Sequence, residues 1–148
     1  MSFKGGCRCG ACRYDLDFAV LPASYACHCL DCQTMTGSAC SLHAVVPLSR
    51  FALEGVLEGW TRINGEGTRT THHVCARCKT RIHSTNEGRP GLAIVRMGTL
   101  DDSRDIVPVV HMWTRSKQPW VGLPADAEAY EQAIPPDRLK AVFALNLG

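Results

Sequence analysis

Nine cysteines stand in this chain, and seven of them fall into three tight groups: Cys7-x-Cys9, Cys27-x-Cys29-x-x-Cys32 and Cys75-x-x-Cys78. That spacing constrains the fold more than any other feature. Sulfurs two or three residues apart suit a common metal ion far better than the geometry of a disulfide bridge. An odd count also leaves at least one cysteine without a disulfide partner, and clustered thiols in a reducing compartment usually bind metal. The expectation is a zinc protein whose chain is stapled by thiolates.

Length and composition support this. At 148 residues the chain has apolar area for one core, so residues 1–148 are expected to form a single domain. The composition, 45% hydrophobic and 20% charged, is that of an ordinary globular chain. The net charge of +2 comes from scattered basic residues, and no basic stripe with interleaved aromatics argues for nucleic acid. The first residues lack the apolar core of a secretory leader, and no segment is long and apolar enough to span a bilayer. A cytoplasmic protein with neither a nucleic-acid nor a membrane partner is expected.

Short β-type runs separated by Gly, Pro, Asp or Asn recur along the chain, around residues 4–7, 12–16, 24–28, 41–46, 57–61, 69–74, 81–84, 92–97 and 109–113. They predict a mainly β, antiparallel fold. Asn64-Gly65-Glu66-Gly67 reads as a hairpin connection. After Pro135-Pro136-Asp137, the apolar residues Leu139, Val142, Phe143 and Leu145 take helical spacing, which predicts a short C-terminal helix.

Structural zinc usually draws two ligands from each of two distant segments. Cys75 and Cys78 form one such half-site, and its partner is either the Cys7/Cys9 pair or the Cys27/Cys29/Cys32 group. If Cys7, Cys9, Cys75 and Cys78 close one site, then Cys27, Cys29 and Cys32 remain as three ligands on one turn. Three protein ligands leave a fourth position open for water or substrate. Equally, Cys40 or one of His28, His43, His72, His73, His83 and His111 would close the second site as a structural one. Cys12 and Cys40 read as small buried thiols. Zinc on three thiolates carries a formal charge of −1 and matches a soft sulfur ligand. Arg62, Arg69, Arg77, Lys79, Arg81, Arg115 and Lys117 are candidates to balance an incoming thiolate, and none is singled out.

Several motifs in order carry a resemblance. They are Gly6-Cys7-Arg8-Cys9-Gly10-Ala11 with Arg13-Tyr14, Cys27-His28-Cys29-Leu30-Asp31-Cys32, Cys75-Ala76-Arg77-Cys78 and Gly98-Thr99-Leu100-Asp101-Asp102. Pro108, His111, Trp113, Ser116 and Trp120 follow at fixed spacing, then Tyr130-Glu131. In these the chain resembles the glutathione-dependent formaldehyde-activating enzymes, a family that also includes centromere-protein-V-like proteins. The resemblance implies a β-tent fold, structural zinc on Cys7, Cys9, Cys75 and Cys78, and a second zinc on Cys27, Cys29 and Cys32. The chemistry it implies is addition of glutathione sulfur to formaldehyde, giving S-(hydroxymethyl)glutathione, a carbon–sulfur lyase reaction run backwards. The chain departs from the family pattern at Cys12, at Lys79 in place of glycine, and at Thr71-His72-His73-Val74 before Cys75.

His111, Trp113 and Trp120 are expected to pack in the core. Asp101 and Asp102 read as turn formers. Asp31 is either a carboxylate that orients a ligand or shuttles a proton, or a turn former as well. Three functions follow as alternatives: a zinc-dependent lyase acting on a glutathione or small-thiol adduct, a non-catalytic thiol-binding carrier or sensor, and a structural zinc protein presenting a surface to a partner.

Overall fold

The structure is a computed structural model that describes residues 1–64 and 67–147. Gly65 and Glu66, the centre of the expected hairpin connection, lie outside the described residues. Asn64 and Thr68 close what flanks them, with Asn64 N donating to Thr68 O at 3.0 Å.

As the sequence predicts, the protein is mainly β with a C-terminal helix. Three strands form a small antiparallel sheet in the order β1 (Phe3–Gly6), β2 (Arg13–Leu16), β5 (Phe51–Glu54). Seven more form a larger sheet, running β10 (Val110–Met112), β3 (Tyr25–Cys27), β4 (Ser41–Pro47), β9 (Leu92–Arg96), β8 (Arg81–Asn86), β7 (Arg69–Cys75), β6 (Leu57–Ile63). All pairings are antiparallel except β10 with β3, which is parallel. Besides short 3-10 turns, one strand and one α-helix go beyond the expected set. One is β5, and the other is a seven-residue helix, α1 (Leu30–Thr36), inside the cysteine motif.

Side chains on a strand alternate between faces, so a strand covered on both sides must be apolar on both. β4 shows this. Ala44 and Val46 enter a core with Tyr14, Leu16, Phe51, Ile82, Val95 and Met97 between the two sheets. Val45, on the opposite face, joins Tyr25, Val110, Ile134, Val142 and Phe143 beneath the C-terminal helix α2 (Pro136–Leu147). Asn146 fixes that helix. It is 2% exposed, yet its amide is satisfied: Oδ1 accepts from Ala23 N at 2.7 Å, and Nδ2 donates to Ala23 O at 2.9 Å and Val45 O at 3.0 Å. At the other edge β6 is largely exposed and carries Glu58 and Arg62, charges that discourage pairing with a foreign strand.

The small sheet is anchored over the large one where Asp101 N donates to Lys4 O at 2.9 Å and Tyr14 Oη meets Thr99 Oγ1 at 2.8 Å. Asp101 also receives two hydrogen bonds from the Arg13 guanidinium, so it works as a strand tie rather than only as the expected turn former. This anchoring lays the β1–β2 turn against the β7–β8 turn, where Arg8 N donates to Thr80 Oγ1 at 3.2 Å.

Candidate metal centres

Those two facing turns bring together Cys7, Cys9, Cys75 and Cys78, whose sulfurs all lie within 4.8 Å of one another. Cys7 and Cys9 are 3.5 Å apart, and Cys9 and Cys75 are 3.9 Å apart. Four sulfurs at about 2.3 Å from a tetrahedral zinc would be about 3.8 Å from each other, so the donors fit that ion in both chemistry and spacing. Four thiolates around a divalent ion carry excess negative charge and need donors. They have them: Cys12 N reaches Cys7 Sγ at 3.2 Å, Cys78 N reaches Cys75 Sγ at 3.5 Å, and the Thr80 hydroxyl lies 3.1 Å from Cys78 Sγ. The Thr80 contact is the main reason that the Cys78 thiol is lowered to about 5.

Backbone geometry explains one departure from the family pattern. Lys79 sits at φ +62°, in the left-handed region, because its N–H must turn back to Cys75 O at 2.9 Å. Glycine adopts that conformation without cost, which is why a glycine is usual there. In this chain Lys79 Nζ is held by Glu58 at 2.6 Å and by Ala76 O at 2.8 Å.

The second cluster sits where β3 ends and α1 begins. Cys27 is the last residue of β3, Cys29 caps the helix with its sulfur accepting from Cys32 N at 3.3 Å, and Cys32 lies in the first turn. Gly37, at φ +63°, ends the helix. The three sulfurs lie within 4.8 Å of one another, and among the described residues no further His, Cys, Asp or Glu joins them. Three soft donors without a fourth suit zinc with an open position.

None of the residues proposed to close this site joins it among the described residues. His28 Nε2 pairs with His111 Nδ1 at 3.1 Å. His72 stacks on Trp60, and His73 stacks on His83 while meeting Thr85 Oγ1 at 3.0 Å. Cys40 is only partly buried, correcting its reading as a core thiol, whereas Cys12 is buried as expected. His43 comes nearest. It contacts Cys32, but its ring nitrogens lie 2.9 and 2.7 Å from an Arg96 nitrogen, and Nδ1 is 3.3 Å from the Tyr25 hydroxyl.

The cluster's own hydrogen bonds polarise it. The Cys27 thiol bonds to Cys32, which together with His43 lowers Cys32 to about 4, while the same bond and burial push Cys27 strongly upward. His43 is lowered to about 4, chiefly by burial and also by Arg96, so its ring is neutral near pH 7.

Two cavities flank this region. One of about 430 Å³ is lined by Cys29, Leu30, Asp31, Trp113, Arg115 and Ser116. The other, about 920 Å³, is lined in part by Cys40, Ser41, Trp60, Arg81 and Arg96. Ser116 braces the cysteine turn, because its hydroxyl and the Gln33 amide both donate to His28 O at 2.9 Å. Asp31 pairs with Arg62 on β6 and sits in the first turn of α1. Trp120 is 76% exposed and Trp113 is only partly covered, with Arg115 stacked over it at 5.0 Å, so neither is the core aromatic expected. Arg96 is not among the candidate cations that the sequence suggests, although a charge ending the apolar run Leu92-Ala93-Ile94-Val95 is a visible signal.

Comparison with known proteins agrees with this architecture. A crystal structure of a Rhodobacter sphaeroides protein superposes with a TM-score of 0.51 at 20% sequence identity, covering 67% of this chain and 88% of that one, which shows a shared fold. The sequence model described as glutathione-dependent formaldehyde-activating enzyme matches residues 2–116. With most of the chain inside that match, both cysteine clusters included, the protein belongs to the glutathione-dependent formaldehyde-activating enzyme family.

Proposed function

We propose that residues 1–148 act as one domain, a zinc-dependent carbon–sulfur lyase that interconverts a thiol plus formaldehyde with their S-hydroxymethyl adduct, glutathione being the leading thiol. The observation that carries this reading is the Cys27/Cys29/Cys32 cluster, three thiol donors without a fourth among the described residues and bordered by a cavity. Cys7, Cys9, Cys75 and Cys78 hold a second, structural zinc in this reading. When bound on Cys27, Cys29 and Cys32, zinc supplies a soft Lewis acid that favours the thiolate form of an incoming thiol.

The protein's own groups do the rest. Cys29 and Cys32 are fixed by the helix cap, and the Ser116 and Gln33 bonds to His28 O brace the turn, so the sulfurs that would hold the ion keep a constant arrangement. The substrate sulfur attacks the formaldehyde carbon, a C–S bond forms, and the proton given up by the thiol ends on the aldehyde oxygen. The reverse direction breaks the same bond. Holding both reactants in one place converts a bimolecular step into a local one. Nine unbridged cysteines support a reducing, cytoplasmic setting.

The test is exchange NMR with 13C-formaldehyde and glutathione at equilibrium. The wild-type protein is expected to speed interconversion of free formaldehyde and adduct, and Cys32→Ala to abolish the acceleration while retaining one zinc. Glutathione binding without faster exchange would instead assign a thiol carrier.

A further inference from the structure

The 920 Å³ cavity is within the size range of small-ligand sites, and its walls carry two guanidinium groups, Arg81 from β8 and Arg96 from the end of β9. Arg96 is 7% exposed and its Nε has no hydrogen-bond partner among the described residues. Its Nη1 lies against the His43 ring. Arg81 Nη1 reaches only the thioether of Met35, at 3.0 Å, a weak acceptor. Among the described residues neither arginine has a carboxylate within ion-pair distance, and the acid lining this cavity, Glu58, is already held by Lys79 at 2.6 Å.

A buried cation with unfilled donors is costly unless an anion meets it. Burial, together with repulsion from Arg81, lowers Arg96 to about 10, so the group still carries its charge near pH 7. The nearby Cys32 and Cys27 offset part of this positive field. They do not fill the donors, because Cys27, Cys29 and Cys32 are not among the cavity's lining residues. An anion seated between the two arginines is therefore a group other than the reacting sulfur. Paired guanidinium forks match carboxylate geometry best.

We infer that Arg81 and Arg96 form a carboxylate-docking subsite that makes the protein selective for thiols bearing a carboxylate over neutral thiols. The subsite rests on the thiol-binding reading of the Cys27/Cys29/Cys32 cluster for its role in selection. Its affinity for a carboxylate does not.

The deciding experiment is calorimetry on the protein as purified, with S-methylglutathione, which has carboxylates and no thiol, and with its dimethyl ester. The free acid is expected to bind at least tenfold more tightly than the ester, with affinity falling as salt rises from 20 to 200 mM. Arg81→Gln is expected to weaken the acid at least tenfold, while Arg138→Gln, on the far surface ion pair with Glu128, leaves it unchanged. Equal binding of acid and ester, or no binding of either, overturns the subsite. If Arg81→Gln does not fold, the acid–ester comparison decides alone. A subsite that binds the acid in a protein without formaldehyde exchange would remove the lyase and keep the subsite. Exchange at equal kcat/KM for 3-mercaptopropionate and 2-mercaptoethanol would keep the lyase and remove the subsite.

Discussion

Replacing Cys75 and Cys78 together by serine severs the closed cluster at one turn and leaves the open cluster untouched. A metal joining Cys7 to Cys75 would close a loop of about 68 residues, which a chain-entropy treatment of cross-links values at about 4 kcal/mol at 25 °C. Cys75 is fully buried, so a serine hydroxyl placed there without a partner adds about 1 to 3 kcal/mol of desolvation. Domains of this size are typically stable by about 5 to 15 kcal/mol, so the double variant loses much of what it has. A total loss of about 5 to 7 kcal/mol lowers the melting temperature by roughly 10 to 28 °C. Far-ultraviolet circular dichroism against temperature and urea, on reduced protein, with zinc counted by elemental analysis, reads both effects. A variant that has lost one zinc yet unfolds within about 1 kcal/mol of wild type would refute the idea that the two turns are held by a shared ion.

Cys29→Ser should behave in the opposite way. Serine is among the best helix N-caps, so α1 survives and stability changes by about 1 kcal/mol or less, while zinc content falls by one and formaldehyde exchange is lost. Unfolding of this variant as severe as that of the double variant would contradict it. Gly5→Ala places a methyl 2.4 Å from the Tyr14 ring and 2.6 Å from Thr99 O, a backbone atom that cannot swing aside, so urea denaturation should show a loss of about 3 kcal/mol. A loss below 1 kcal/mol would mean that the two sheets part easily there. His72 and His83, each lowered to about 4 mainly by burial, give a pH signature. Their ordinary value is about 6.5, so below that pH the unfolded chain takes up protons that the folded one refuses. The stability they contribute is whole above pH 6.5, declines as pH falls and is gone near 4. The urea midpoint measured between pH 7 and 5 at constant zinc content should drop, and His83→Phe should reduce the slope; a flat midpoint would argue against neutral buried rings.

Where the sequence was informative, it was because a local rule survived in tertiary context. The alternation in β2, the short β-type runs of β4 and β8 and the Pro-Pro-Asp start of α2 were readable, since strand-forming runs and a helix start are set by neighbours in sequence. α1 was not, because a seven-residue helix capped by a cysteine lacks the usual Ser, Thr, Asp or Asn signal and is too short to show a period. The parallel pairing of β10 with β3 has no local signature at all. The cysteine groups were visible, but their partition was not, because spacing allows Cys75 and Cys78 to meet either upstream group. What selects Cys7 and Cys9 is sheet anchoring: Arg13 on Asp101, Tyr14 on Thr99 and Asp101 N on Lys4 O fix where the β1–β2 turn lands. The same pairings leave Cys27, Cys29 and Cys32 together at the start of α1, with no further His, Cys, Asp or Glu joining them among the described residues. The open cluster is thus a consequence of strand register tens of residues away, and a residue such as Arg96 gains its meaning only once β9 is laid beside β4 and its guanidinium is trapped against His43. Function in this protein is therefore tied to the anchoring contacts as closely as to the cysteines, and a substitution that shifts the small sheet, such as Gly5→Ala, should disturb the closed metal site before it touches the open one.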